Sequence, residues 1–571
     1  MAAEVEEAVP AGGADEIKAY NIHVSSKYLD LTRQKLEVTR LPHELSEPKS
    51  KDWWEPKSQV EPLIDFWLEQ YSWRTQEDLL NKELPQFRTG FSIPSSETPI
   101  RIHFIHARSS HSNAIPLLLI PPFPFSNLSF GHLVKLFTEP EDAANNQPFH
   151  LVIPSLPGVA FSDALPNNTP MISSTADILN SLMSRLSYPY YLATNASSGA
   201  ASPAEIDYNL VNHLATYHSD SCLGAHLISP PLTKPKLREA PIEWAKWSLA
   251  SFFHAPILGY RSEDFSALER NGYVHASKKA PTPAQFGLNQ LGFREPNTLA
   301  YALCDSPTGL LLFVLKTLRL LGPQKEFTLT EVINFTQLAW LPGPEAAMRF
   351  WAYCVRHPEV EKKATVRPKV GITVFLGDEP SAEGGAETGA AVDEPAHDES
   401  KDCYTCPSWA NAKYNVLYTN RATGRSGLLA WERPEIIATG IRGVASSILK
   451  LDSRLRPSPA SPPAPLEQVV VHSDTAADDH PESPPASPPV KPAPALLAPP
   501  TAEERGHPQR QISGETAVGS SENVTGGASS PTPKAPDPAH LAPPTDERTL
   551  PRREASDDTA VEQPGTEPQT L

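Results

Sequence analysis

Ser197 stands in Asn195-Ala196-Ser197-Ser198-Gly199, a run of small residues directly after the apolar Tyr191-Leu192-Ala193. Small flanking residues suit a tight strand-to-helix turn that displays one side chain. At neutral pH a serine hydroxyl is a poor nucleophile unless a neighbouring base takes its proton. Any chemistry at Ser197 therefore depends on a base supplied elsewhere. His226 lies inside the apolar run Gly224-Ala-His-Leu-Ile228 and reads as a buried, hydrogen-bonded core residue. Cys403 and Cys406 have the spacing of a redox pair or half a zinc site, but no second pair accompanies them. They read as ordinary surface cysteines, so neither a metal nor a cofactor is expected.

Short apolar runs must position these residues. Ile115–Ile120, 150–153, 191–193, 224–228, 371–375 and 415–418 are candidate strands separated by helical stretches. Continuous apolar strands alternating with helices predict a mostly parallel sheet covered on both faces. Ahead of them, residues 53–90 read as two amphipathic helices, with a capping box from Thr75 to Asp78. Residues 98–107 alternate apolar and polar, the pattern of a half-buried strand. Between 228 and 371 lie helically patterned residues too numerous for one crossover, which predicts an inserted helical cap.

Composition bounds the rest. From 451 to 571 there is no Phe, Tyr or Trp, and 24 of the chain's 62 prolines fall there. Such a segment cannot offset the entropy of ordering, so a disordered Pro-rich tail is expected. Residues 1–18 are expected to be disordered as well, and 378–402 form an acidic low-complexity loop. The net charge of −18 argues against nucleic acid as a partner. No run of about 18 apolar residues is present, so no transmembrane span is expected. Five cysteines and the lack of a signal peptide point to a cytoplasmic protein.

Several motifs resemble the microsomal-type epoxide hydrolases. Trp53-Trp54-Glu55, Leu63-Ile-Asp-Phe-Trp67, Tyr71-Ser-Trp73-Arg74 and Asn81-Lys-Glu-Leu-Pro85-Gln-Phe87 are similar to that family's N-terminal region. Ile153-Pro154-Ser-Leu-Pro157-Gly158 with Phe161-Ser162-Asp163, Gly272-Tyr273-Val-His275, Asp305-Ser306-Pro307-Thr-Gly309 and Ala430-Trp431-Glu432-Arg-Pro434 follow in family order. The resemblance implies an α/β-hydrolase fold with an inserted helical cap. It divides the chain into an N-terminal region (19–95), a core in two parts (96–230 and 346–450) and a cap (231–345). It also implies a carboxylate that attacks the epoxide, cap tyrosines that donate to the leaving oxygen, and an acid-paired histidine that activates water.

Position by position, the resemblance places the nucleophile on Ser197, the acid on Asp378, the base on Gly427 and one cap tyrosine on Tyr273. A hydroxyl stands for the carboxylate, and a glycine cannot accept a proton. The second cap tyrosine falls on Trp351. Tyr353, two residues on, would point about 200° away if the segment is helical. The oxyanion loop reads Pro121-Pro122-Phe123-Pro124, and proline has no N–H to donate. The expectation is a family member that has lost catalysis, keeping its capped pocket for a small apolar ligand or serving as a scaffold. Proline motifs such as Pro489-Val-Lys-Pro492 could dock a protein partner. One alternative is a serine hydrolase using Ser197 with His275 as base. The other is residual epoxide hydrolysis by Glu205 or Asp207, both expected on the helix past the turn and out of reach of the pocket.

Overall fold

The computed structural model describes residues 15–42, 57–198, 205–270, 296–322, 325–360, 366–377 and 404–456. Nine strands form one sheet: β1 (Lys18–Ala19), β2 (Gln86–Phe91), β3 (Ile100–Ala107), β4 (Ile115–Ile120), β5 (Phe149–Pro154), β6 (Tyr191–Asn195), β7 (Cys222–Ile228), β8 (Lys369–Phe375) and β9 (Asn415–Ala422). Their order is β1-β2-β3-β5-β4-β6-β7-β8-β9. The first three pairings are antiparallel and the remaining five parallel. This is the mostly parallel sheet of an α/β-hydrolase fold, and each of the six apolar runs lies within one of its strands.

The N-terminal region departs from its expected outline. Three helices, α1 (Ser26–Glu37), α2 (Lys57–Glu69) and α3 (Trp73–Glu83), precede β2. The cap of α3 is Ser72, whose side chain accepts from the Thr75 amide, so the helix starts before the predicted Thr75 box. Pro85 cannot continue a helix. Residues 86–91 instead pair with β3, Phe87 opposite Phe104 and Phe91 opposite Ile100. Strand β3 is buried on both faces, with Arg101 its one exposed residue. The alternation misled because its polar members are buried histidines with partners. His103 Nε2 lies 3.1 Å from Gln86 Oε1, and His106 Nε2 lies 2.9 Å from the Tyr188 hydroxyl. Trp53-Trp54-Glu55 lies outside the described residues.

On one face of the sheet lie α4 (Leu133–Thr138) and, at the end of the fold, α13 (Leu429–Glu432) and α14 (Pro434–Leu451). On the other lie α5 (Met171–Arg185) and α6 (Ile206–Tyr217). Apolar stripes bury each face, Ile437, Ile441, Val444 and Ile448 on α14 and Leu179, Leu182, Leu210 and Leu214 on α5 and α6. Between β7 and β8 the described helices are α7 (Pro241–Phe253), α8 (Ser262–Arg270), α9 (Pro296–Asp305), α10 (Pro307–Leu321), α11 (Leu329–Trp340) and α12 (Glu345–Arg356). The start of α11 is fixed by a capping box between Thr328 and Glu331. Among the described residues no single helix is long and apolar enough to cross a membrane. Helices α9 and α10 meet that test only as a pair bent by 114°.

The N-terminal helices grip the cap. Val60, Leu63, Ile64 and Trp67 of α2 share one apolar cluster with Leu311, Leu315 and Leu318 of α10 and Val332 and Ile333 of α11. At its rim the Tyr71 hydroxyl donates to Asn334 (2.7 Å), Asn334 donates to Gln76 (2.9 Å), and Trp340 donates to Thr32 (2.8 Å). On the far side, buried Asp264 of α8 takes Arg421 of β9 at 2.7 and 2.9 Å and also accepts from the Tyr404 hydroxyl. The adjoining Cys406 is wholly buried rather than at the surface, because the short 3₁₀ turn Pro407–Ala412 packs beneath α7; Cys403 lies outside the described residues.

Close approach of α14 to the sheet depends on glycine. A Cβ on Gly440 would lie 2.1 Å from His226 Nε2, and that ring is held by Thr194 Oγ1 at 3.1 Å and Thr373 Oγ1 at 2.8 Å. Alanine improves helix propensity by about 1 kcal/mol, whereas overpacking a rigid core typically destabilises by about 1–3 kcal/mol. The imidazole has nowhere to go, so overpacking wins. Gly440→Ala should lower the urea midpoint despite its better helix propensity, and an unchanged or higher midpoint would refute this packing account.

Candidate active site

Strand β6 ends at Asn195, and its side chain locks the turn that follows. Asn195 Oδ1 accepts from the Ile228 amide at 3.0 Å, and Nδ2 donates to the Ser197 carbonyl at 2.6 Å. Ser197 is thereby tucked in, only 4% exposed. Its hydroxyl donates to Asp207 Oδ2 at 2.7 Å and lies 3.3 Å from the Ser198 carbonyl. Asp207 was expected on the helix past the turn and out of reach of the pocket; it lies on that helix and is absent from the wall of the apolar cavity, but it does meet Ser197. Helix α6 begins at Ile206, so Asp207 sits in its first turn, at the end adjoining the Ser197 turn. It is fully buried. A sequence signal existed. Asp207 heads the 207, 210, 211, 214 stripe, in which every residue faces the core.

The loop that should carry the base does meet this turn. Ser426 Oγ lies 2.9 Å from Ser198 Oγ, both buried. Gly427, next in the chain, is in the left-handed region (φ +55°), and a Cβ there would stand 2.1 Å from Glu432 Oε2. The Glu432 carboxylate fills the space a side chain at 427 would enter. Among the described residues the Ser197 hydroxyl has no imidazole within hydrogen-bond reach. His226 is committed to Thr194 and Thr373, as expected of a core residue, and burial pushes its pKa down to about 3. Tyr273, His275 and Asp378 lie outside the described residues. The chain just before Asp378 abuts the base loop, since Gly377 and Gly424 exchange backbone hydrogen bonds at 3.1 and 3.2 Å.

Above β4, Pro121 and Pro122 are buried and offer no N–H, and Phe123 turns its ring toward the cap. That ring stacks on Phe350 (centroids 5.7 Å apart) and meets Trp351 edge-on at 6.5 Å. Beside them lies a cavity of about 90 Å³ whose walls include Phe123, Phe125, Leu303, Phe313, Phe335 and Trp351. Its polar side chains are Ser126, Ser129 and Thr317, and its wall includes neither Ser197 nor Asp207. Because residues 345–356 are helical, Trp351 faces the cavity and Tyr353 turns away to pack, tilted, on His357 with ring centroids 4.6 Å apart. The arrangement can enclose an apolar molecule, and it offers that molecule few polar handles.

Glu205, immediately before α6, has a positive φ of 52°. Burial, and secondarily the charge of Asp207, raise its carboxyl pKa to about 7. A carboxylic acid whose folded pKa is raised destabilises the fold once ionised. That penalty is absent below the ordinary Glu value near 4.3 and grows as pH rises toward 7. Glu205→Gln should therefore melt close to wild type near pH 4 and increasingly above it from pH 5 to 8. Parallel melting curves across that range would contradict the assignment.

Comparison with known proteins agrees with this geometry. The family described as Epoxide hydrolase N terminus matches residues 17–130. A putative epoxide hydrolase of Stigmatella aurantiaca is 27% identical over 439 residues, covering 75% of this chain and 84% of the relative. Epoxide hydrolase 1 of Sus scrofa is 23% identical, covering 76% and 89%. The solved epoxide hydrolase of Aspergillus niger shares the fold with a TM-score of 0.55 at 20% identity, over 76% of this chain and 98% of that one. With the sheet, the cap and the N-terminal clamp in place, the chain is similar to epoxide hydrolases over about three quarters of its length.

Proposed function

We propose that this protein is a catalytically silent epoxide-hydrolase relative that keeps its capped apolar cavity to bind a small apolar ligand. The observation that carries this reading is the Ser197 hydroxyl, which is bound to a buried carboxylate with no imidazole beside it among the described residues. Opening an epoxide by the family route needs a carboxylate nucleophile, and releasing the ester needs a base acting on water. The turn offers an alcohol, and the base loop offers Gly427. A general base contributes about 10²–10⁴-fold, so the loss of nucleophile and base together removes the family reaction. The cavity supports the ligand half of the reading, being walled almost wholly by aromatic and aliphatic side chains.

One contact favours a second reading, because Asp207 meets the Ser197 hydroxyl and could act as its base. An ordinary carboxylate titrates about 2.6 units below imidazole, which makes it a much poorer acceptor for a serine proton at neutral pH. The silent reading is therefore preferred. Purified protein should form no diol from styrene oxide and take no label from a fluorophosphonate probe. It should quench its tryptophan fluorescence saturably with an apolar ligand, and Trp351→Ala should weaken that binding. Diol formation lost in Asp207→Asn, or labelling lost in Ser197→Ala, would overturn the proposal. Absence of any saturable binding would leave only the scaffold role.

A further inference from the structure

We propose that Asp177, His213 and His218 form a divalent transition-metal site on the outer side of the paired helices α5 and α6. Asp177 comes from α5 and His213 from α6, while His218 is the residue that ends α6. Their ligand atoms all lie within 4.8 Å of one another. His218 Nε2 is 2.9 Å from Asp177 Oδ1, the separation of two adjacent ligands each about 2.0–2.1 Å from one ion. Two imidazoles and one carboxylate are the donor set of Zn²⁺, Co²⁺, Ni²⁺ or Cu²⁺. Ca²⁺ and Mg²⁺ take oxygen ligands.

The simpler explanation is an exposed His218–Asp177 ion pair. Such a pair is worth about 0–1 kcal/mol and gives no reason for a second imidazole at the same spot. The backbone of His218 is held as a ligand position should be. Its amide donates to Leu214 at 3.0 Å, and its carbonyl accepts from Ser221 at 3.0 Å and Cys222 at 2.7 Å. The His213 ring packs on Tyr217 at 4.4 Å and lies 6.1 Å from the His218 ring. Asp177 is the adjustable member, with 65% of its side chain exposed. Three protein ligands leave the remaining positions to water. A bound ion would tie the end of α6 and the turn into β7 to α5.

The test uses full-length protein stripped with chelator and titrated with ZnCl₂ by calorimetry, with melting temperature as a second readout. Wild type should bind one equivalent with micromolar affinity and melt higher with Zn²⁺ present. His213→Ala and His218→Ala should each weaken that event at least about tenfold and abolish the Zn²⁺-dependent rise, while keeping the metal-free melting temperature. Asp177→Asn should weaken it less. Equal affinity and stoichiometry in the His213→Ala/His218→Ala double variant would overturn the proposal by placing any binding elsewhere in the chain. So would failure of the wild type to bind Zn²⁺ at 1 mM.

Discussion

A carboxylate sealed away from water must be met by hydrogen-bond donors, and around Asp207 this requirement organises the centre of the molecule. A charged group buried without partners is strongly destabilising. Ser197 supplies one donor from the turn after β6, and the same turn is held by Asn195, which bridges to β7. Ser198 then extends the polar contacts to Ser426 in the loop before α13. A chain of small polar residues thus joins the regions that an epoxide hydrolase needs for its chemistry. It joins them by mutual satisfaction, with Ser197, Ser198, Asp207 and Ser426 all buried.

The N-terminal region and the loop after β5 have structural work that is independent of turnover. Glu77 accepts from the Val24 amide at 2.6 Å and from Trp73 at 3.2 Å. Asn81 exchanges two hydrogen bonds with the backbone of Ile22, each 2.8 Å. Asp163 takes Arg88 at 2.7 Å and Arg101 at 2.8 Å, binding the loop after β5 to β2 and β3. These contacts hold the N-terminal region to the sheet and, through α2, hold the cap. Removing any one of them would loosen the fold whatever the chemistry at the centre.

Much of this was legible in the sequence. The parallel strands announced themselves as apolar runs, since a strand covered on both faces has no polar alternation to show. The helical offset between Trp351 and Tyr353 was also readable, because a helix fixes the angle between neighbours. The errors share a cause. Strand β2 was taken for the tail of a helix, and β3 for a half-exposed strand, because their polar residues find partners only through long-range pairing. His103 with Gln86 and His106 with Tyr188 are such cases. The contact of Asp207 with Ser197 was not foreseen. Its place on the core stripe of α6 was visible, but its meeting with Ser197 depends on where that helix begins.

Glu432 restricts what position 427 can hold. With its carboxylate occupying the space beside Gly427, and the glycine in a backbone region few side chains adopt, an imidazole does not fit there by one substitution. The glutamate would have to yield first, exposing a void that by itself benefits nothing. Any side chain at 427 therefore needs a second change at 432 before it fits, and the two positions can vary only as a pair.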